Sequence, residues 1–127
     1  MRRNIHLIKT IGNELRGIRK MKDLHVKDVA KDIGVSSTYI SEIERNNKVP
    51  SNDLIEKMAT IYNINERRLF KGFKVLPDSM VYELTSEYGL YDIIFELSEN
   101  ESFTREQKDE FYKKVQSLYK ETFEKGE

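Results

Sequence analysis

The chain has 127 residues, no cysteine, and 22 Lys and Arg balanced by 22 Asp and Glu. This length holds one domain or two small ones, and the lack of cysteine excludes disulfides and thiolate metal sites and is typical of a reducing compartment. No stretch approaches the ~20 apolar residues that span a bilayer, and Lys9 interrupts the short apolar run at the start, so we expect a soluble, cytoplasmic protein with no membrane partner.

The first predicted element is an amphipathic helix over about residues 6–22. Its apolar side chains recur at three- and four-residue steps, and they are Ile8, Ile11, Leu15 and Ile18. Since a helix turns once every 3.6 residues, this spacing places the four side chains on one face. The pattern predicts a helix that packs on its neighbours through that face.

Two short helices and a tight turn follow. The segment from Val26 to Ile33 is predicted as a helix ended by Gly34, which tolerates the positive φ of many helix C-termini. Ser36 can cap a further helix that runs to about Arg45. The two helices carry matching apolar edges, formed by Val29, Ala30, Ile33, Ile40 and Ile43. We therefore expect them to pack at a steep angle while the second keeps a polar side exposed.

Two more helices complete the first half of the chain. Asn46 suits a left-handed position, which Asn adopts more readily than most residues. Pro50 and Ser51 are a start signal for a helix over Asn52–Tyr62, and Asn65 caps a short helix predicted to end at Lys71–Gly72 after Phe70. The inward side chains of the longer helix are predicted to be Leu54, Ile55, Met58 and Ile61.

The second half is predicted to contain about three helices. One runs from Pro77 to about Glu87 with Val81 and Leu84 buried, and the next covers Leu90–Ser98. Thr104 with Gln107 three residues later forms a capping box that starts a long last helix. A stripe on that helix is expected to form a dimer interface, and its members are Phe111, Val115, Leu118 and Tyr119. No segment shows the period of a strand, so the predicted fold is all-α.

Charge divides the chain into two regions. Residues 1–74 hold 16 Lys and Arg against 9 Asp and Glu, whereas residues 75–127 hold 6 against 13. A basic region attracts a polyanion and an acidic region is repelled by one. The split predicts a DNA-binding domain over residues 1–74 and an acidic helical region for dimerisation or regulation over residues 75–127.

Three sequence blocks carry a family resemblance. They are "LRGIR" (Leu15–Arg19), "DVAKDIGVSSTYISEIE" (Asp28–Glu44) and "PSNDLIEKMATIYNI" (Pro50–Ile64). Together, at this spacing, they resemble the lambda-repressor/Cro-like helix-turn-helix domains of the Xre family over about residues 8–72. The resemblance implies a five-helix DNA-binding domain that places the helix opened by Ser36 in the DNA major groove.

The resemblance also implies roles for individual residues. Four side chains on the exposed side of that helix would meet base edges, and they are Ser37, Thr38, Ser41 and Glu42. Others would contact phosphates, and they are Tyr39, Arg45, Asn47, Lys48, Lys27 and Arg16. Lys20 and the pair Arg2–Arg3 are weaker candidates for phosphate contacts.

Two further positions follow from the same resemblance. Arg19 and Glu44 match a family ion pair that fixes the first helix against the third, which is a structural role and not a catalytic one. His25 and Val26 stand where the family usually has Ser-Gln, whose serine caps and whose glutamine touches a phosphate. Because Val26 donates no hydrogen bond, we expect phosphate anchoring from this helix to be weakened, with Lys27 an imperfect substitute.

The predicted function is that of a sequence-specific transcriptional regulator, more specifically a homodimeric repressor that reads a pseudo-palindromic operator in double-stranded DNA. Alternatively, the acidic region binds a partner protein or peptide, as in antitoxins of similar build, and DNA binding serves autoregulation. An enzyme is not expected, because the sequence shows no nucleophile with a base, no metal-ligand set and no phosphate loop. No cofactor or metal is expected. Close packing of residues 75–127 on the first domain remains an alternative to the dimer.

Overall fold

The computed structural model describes residues 10–124, and within this range every regular element is an α-helix. The helices are α1 Ile11–Met21, α2 Val26–Ile33, α3 Ser37–Glu44, α4 Asn52–Tyr62, α5 Glu66–Phe73, α6 Asp78–Leu84, α7 Tyr91–Glu99 and α8 Arg105–Phe123. The prediction of an all-α fold is confirmed. The chain divides into two compact units, Met1–Val81 and Tyr82–Glu127.

The first unit has one hydrophobic core, to which each of its first five helices contributes. Its buried side chains are Ile11, Leu15, Val29, Ala30, Ile33, Ile40, Ile43, Ile55, Met58, Tyr62, Leu69, Phe70 and Phe73. The closest packing joins α2 with α3, α1 with α3, and α4 with α5. Because α3 packs on both α1 and α2 through its apolar side, its orientation is set by the core.

The N-terminal boundary of α1 differs from the prediction. The helix begins at Ile11, and the hydroxyl of Thr10 caps it by accepting the backbone N–H of Asn13 at 3.2 Å. Capping of this kind satisfies an N–H group that the helix itself leaves without a partner. The predicted start near residue 6, the apolar position Ile8, and the pair Arg2–Arg3 lie outside the described residues.

The C-terminal boundary of α5 also differs. The prediction ended this helix at Lys71–Gly72, but it continues to Phe73, and Lys74 in the left-handed conformation (φ 59°) ends it. The extra turn buries Phe73, and Gly72 is needed because a Cβ there would lie 2.9 Å from the side chain of Ile11. Gly72 therefore permits close packing of α5 on α1 and does not end the helix.

The second unit contains α7 and α8, and both helices begin within one residue of their predicted starts. Thr104 and Gln107 form the predicted capping box at the start of α8. The helix α6 ends at Leu84 and not near Glu87, and Gly89 lies in the following turn, where a Cβ would be 2.3 Å from the carbonyl oxygen of Leu84. None of residues 82–124 is buried.

Two predictions of burial in α6 are wrong. Val81 keeps 43% of its surface exposed, and Leu84 is half-buried. The short helix has no buried residue along Asp78–Leu84, so its apolar side chains do not form a core.

Within residues 10–124 no helix is both long enough and apolar enough to traverse a lipid bilayer.

Candidate nucleic-acid interface

The turn between α2 and α3 is built from local signals. Gly34 adopts φ 93°, and its N–H donates to the carbonyl of Ala30 at 2.8 Å. Ser36 then caps α3, its hydroxyl accepting the N–H of Tyr39 at 3.1 Å. A left-handed glycine followed by a serine cap turns the chain within a few residues and satisfies one of the N–H groups at the start of α3. The arrangement is a helix-turn-helix.

The exposed side of α3 carries the four predicted base-reading residues. We call this set the polar face, and it consists of Ser37, Thr38, Ser41 and Glu42. The first two are exposed and the last two are half-buried, while Ile40 and Ile43 on the opposite side are buried. The polar face carries hydroxyl and carboxylate groups that can donate to or accept from base edges.

The remaining DNA-contact candidates differ in exposure and in their distance along the chain from the polar face. Tyr39 is half-buried, whereas five others are exposed: Arg16, Lys27, Arg45, Asn47 and Lys48. A cleft of about 200 Å³ is lined by Arg16, Val26, Ser41 and Arg45 together with the Arg19–Glu44 pair. The structure therefore brings Arg16 and Arg45 to one cleft with a hydroxyl of the polar face. Lys27, Asn47 and Lys48 do not line that cleft.

Glu42 is engaged by the loop that follows its own helix. Its Oε2 accepts from Arg45 Nη2 at 2.8 Å, and its carbonyl accepts from the backbone N–H of Asn47 at 2.8 Å. The side-chain hydrogen bond from Asn47 and then that from Arg45 hold the pKa of Glu42 below its ordinary value. A carboxylate that accepts charged or amide N–H groups is stabilised in its ionised form. In the sequence, only the three-residue spacing of Glu42 and Arg45 indicates this pairing.

Asn46 joins the same loop to α1. It adopts the left-handed conformation (φ 65°), as the sequence predicted, and its Oδ1 accepts the backbone N–H of Gly12 at 3.1 Å. Its Nδ2 donates to the hydroxyl of Thr10 at 2.7 Å. These contacts join residues more than 30 positions apart, so sequence spacing could not reveal them. The loop after α3 is thus held against the start of α1.

A buried ion pair joins α1 to the end of α3. Arg19 donates from Nε to Glu44 Oε2 at 2.7 Å and from Nη2 to Glu44 Oε1 at 3.1 Å, and from Nη1 to the carbonyl of Leu24 at 2.9 Å. The two residues are 8% and 4% exposed. The hydrogen bonds to Glu44 raise the pKa of Arg19 above its ordinary value. A two-point contact of this kind fixes the relative orientation of both helices.

Tyr62 is a member of this buried group that the sequence did not identify as such. Its hydroxyl donates to Glu44 Oε2 at 3.4 Å, and the residue is 1% exposed. Burial, followed by the nearby negative charge of Glu44, raises the pKa of Tyr62 above its ordinary value. Among the described residues, no buried side-chain nitrogen or oxygen lacks a hydrogen-bond partner.

The start of α2 is supported by a residue that sequence reasoning missed. Asp28 accepts the backbone N–H of His25 at 3.2 Å. An acidic residue three positions after the helix N-cap is a recognised signal for this contact. The acidic side chain also lies in the first turn, where it interacts favourably with the helix dipole. Asp28 thus compensates in part for a cap position occupied by histidine and not by serine.

The predicted interface residues on α8 lie within the second unit. Phe111 and Val115 are half-buried, whereas Leu118 and Tyr119 are 60% and 53% exposed. The ring of Tyr119 lies 5.5 Å from that of Phe123, which is also exposed.

Within residues 10–124, no group of three or more His, Cys, Asp or Glu side chains is placed to hold a metal ion.

Comparisons with known proteins agree with this geometry. A helix-turn-helix family model matches residues 15–69. The chain is 31% identical over 80 residues to the HTH-type transcriptional regulator DdrOP3 of Deinococcus deserti, a match that covers 63% of this chain and 60% of the relative. It is 36% identical over 58 residues to the uncharacterized HTH-type transcriptional regulator YazB of Bacillus subtilis, covering 46% of this chain and 84% of the relative.

One solved structure is similar across more of the chain. The SinR protein/SinI protein complex shares 25% identity with a TM-score of 0.44, covering 86% of this chain and 99% of that one. The chain spans less than two thirds of the length of DdrOP3 but most of the length of YazB. The matched region of the family model contains α2, α3 and α4 in full and most of α1.

Proposed function

Because the chain belongs to the lambda-repressor-like helix-turn-helix family of DNA-binding transcriptional regulators, we propose that it is a homodimeric repressor that reads a specific operator. In this proposal residues 1–74 bind DNA through the helix Ser36–Arg45, and residues 75–127 join two copies. Bound at a promoter, the dimer blocks access of the transcription machinery.

The observation that carries the proposal is the locked orientation of α3. The helix is fixed to α1 by the buried Arg19–Glu44 pair, while its polar face stays accessible. A helix held this way can enter the major groove without rearrangement, so that no binding energy is lost in ordering it. Ser37, Thr38 and Ser41 then reach base edges through their hydroxyls.

The cations around the polar face supply the phosphate contacts of the proposal. Arg16 and Arg45 line one cleft beside Ser41, and Lys27 and Lys48 are exposed. Each cation that neutralises a phosphate releases counterions, so affinity falls steeply as salt rises. Tyr39 and Asn47 add hydrogen bonds to the backbone in this scheme.

Dimerisation through α8 completes the proposed mode of binding. The stripe of Phe111, Val115, Leu118 and Tyr119 is only half-buried or exposed, and two copies of it can cover each other across a twofold axis. Such a dimer presents two polar faces, and it therefore reads two half-sites about 34 Å apart, one turn of B-DNA.

The test is a selection of bound sequences from a random double-stranded DNA pool. The wild-type chain should enrich a pseudo-palindrome, and the double variant Ser37→Ala/Thr38→Ala should lose the sequence preference while keeping salt-dependent general binding. The matched control is Thr60→Ala/Ser117→Ala, which removes one exposed Thr and one exposed Ser from other helices. If the preference survives in the α3 variant, the polar face does not read the bases.

A second candidate function is capture of a partner protein by the acidic region, with DNA binding serving autoregulation. It is favoured by the exposed apolar side chains of α7, which are Tyr91, Ile93, Ile94 and Phe95. The same helix carries three acidic residues, Asp92, Glu96 and Glu99, and no basic one, so a basic, apolar partner surface would match it. The repressor is favoured if the wild-type chain forms a stable dimer and binds its operator without another protein. The alternative is favoured if operator binding requires a second protein.

A further inference from the structure

Glu42 carries a charge that does not suit the role expected for it. A carboxylate facing DNA is repelled by the phosphates, and a contact with a cytosine amino group must compensate for that repulsion. In the structure the carboxylate is already occupied, since Arg45 Nη2 donates to Oε2 at 2.8 Å. To reach a base, Glu42 would first have to give up this ion pair.

The loop after α3 converges on Glu42 from a second direction as well. The backbone N–H of Asn47 donates to the carbonyl of Glu42 at 2.8 Å. The Glu42 side chain is only 26% exposed, against 57% for that of Arg45. Glu42 is therefore the less exposed partner of the pair, and the guanidinium that it holds is the more exposed one.

The loop itself cannot drift away from Glu42. Asn46, between the two residues that contact Glu42, is tied to α1 through Gly12 and Thr10. Arg45 follows α3 directly, and its backbone N–H donates to the carbonyl of Ser41 at 3.0 Å. The backbone of the loop is thus fixed by α1 and α3, and the remaining freedom lies in the Arg45 side chain.

From this geometry we propose that Glu42 is a positioning residue, which holds the guanidinium of Arg45 in place for DNA and does not itself read a base. A guanidinium has five N–H donors, so the contact with one Glu42 oxygen leaves donors for a phosphate or a base edge. Arg45 lines the cleft that also contains Arg16 and Ser41. Holding a long side chain there in advance removes entropy that binding would otherwise have to overcome. This inference rests on the proposed function.

The test is a double-mutant cycle with Glu42→Gln and Arg45→Gln in the full-length chain. The probe is the DNA that the wild-type chain selects from the random pool, and the readouts are its dissociation constant and the base preference at each position. Glu42→Gln keeps the shape of the side chain and removes its charge. We expect it to weaken binding by about 2–5-fold, the range typical of an exposed ion pair, and to relax the same operator positions as Arg45→Gln.

The decisive result is the double variant. If Glu42 acts through Arg45, adding Glu42→Gln to Arg45→Gln weakens binding no further and leaves the base preference unchanged, since loss of the repelled carboxylate can only strengthen general binding. If Glu42 reads cytosine directly, the loss of preference at one position appears with or without Arg45, and the inference is overturned. Glu56→Gln, an exposed carboxylate-to-amide change on α4, is the matched control.

Two further readouts separate folding and general function from positioning. Thermal unfolding of both single variants should match that of the wild type, because Arg45 is exposed and neither residue lies in the core. Equal loss of stability and affinity in Glu42→Gln would overturn the inference in favour of a structural role. A wild-type chain without any sequence preference overturns the proposed function itself, whereas preference that is lost independently of Arg45 overturns only the role given to Glu42.

Discussion

The backbone N–H of Gly12 donates to Asn46 Oδ1 at 3.1 Å, so the first turn of α1 lies directly against the loop that follows α3. The approach is close because Gly12 has no side chain. A Cβ at this position would lie 2.6 Å from the carbonyl oxygen of Ile43 and 2.7 Å from that of Glu44. These are backbone atoms, which cannot move aside as the end of a side chain can.

Gly12→Ala is therefore expected to destabilise the first unit by about 1–3 kcal/mol, the usual cost of forcing extra volume into a packed site. Gly17→Ala on the same helix is the control, since nothing lies within 4 Å of its Cβ. That change should stabilise by about 0.5–1 kcal/mol, because alanine favours a helix over glycine. Urea unfolding followed by circular dichroism measures both, and a loss of stability in Gly17→Ala as large as in Gly12→Ala would contradict the packing argument.

The buried ion pair predicts a large effect for a small chemical change. Glu44→Gln leaves the charge of Arg19 buried without its partner, which typically costs about 3–5 kcal/mol. The exposed pair Arg105–Asp109 on α8 provides the comparison, with side chains 67% and 56% exposed. Asp109→Asn should cost under about 1 kcal/mol. The measurement is the free energy of unfolding from urea titrations, and equal losses in the two variants would show that the Arg19–Glu44 site is not dry.

Tyr62 predicts a dependence of stability on alkaline pH. Its pKa is raised in the folded chain, mainly by burial, while in the unfolded chain it returns to its ordinary value of 10. Above pH 10 the unfolded chain loses this proton and the folded chain keeps it, so the contribution to stability is complete below pH 10 and is lost as pH rises beyond it. Tyr62→Phe should lack this part of the alkaline decline, while losing about 0.5–1.5 kcal/mol at pH 7 with the hydrogen bond to Glu44.

Urea unfolding of both proteins between pH 7 and pH 11 checks the prediction for Tyr62. The difference in stability between wild type and Tyr62→Phe should shrink above pH 10. A difference that stays constant over this range would mean that Tyr62 ionises with equal ease in the folded and unfolded chains.

The proposed dimer predicts that one charge on α8 disrupts self-association. Leu118→Glu places a carboxylate in the exposed apolar stripe, where a twin stripe would bury it without a partner. Gln116→Glu introduces the same charge at an exposed polar position of the same helix. Light scattering across a concentration series should show a shift to monomer for Leu118→Glu alone. A wild-type chain that is already monomeric at micromolar concentration would count against the dimer.

The sequence predicts the helices best where the signals that begin them are local. Ser36, Asn65 and Thr104 each cap the helix that is predicted to follow, because the cap contacts an N–H two or three residues away. The start of α1 and the end of α5 were mispredicted because tertiary contacts decide them. Thr10 is bound by Asn46, and Gly72 packs on Ile11, and neither contact follows from spacing along the chain.

The same distinction between local and tertiary contacts applies to the candidate site. The exposed side of α3 follows from helical periodicity once Ile40 and Ile43 are known to face inward. The environment of Glu42 could not be predicted this way, since it depends on how the loop after α3 folds back. The sequence predicts Tyr62 as the last residue of α4, but its contact with Glu44 depends on the packing of α4 near α3.

The exposed apolar surface of residues 82–124 affects the rate at which the protein is degraded. A region without a buried residue gains stability chiefly when a second surface covers it, and mass action makes that stability rise with the concentration of the covering molecule. Proteases act on the population that is transiently open. In the proposed dimer, an unpaired chain is therefore degraded before a paired one, and turnover slows as the concentration of the chain rises.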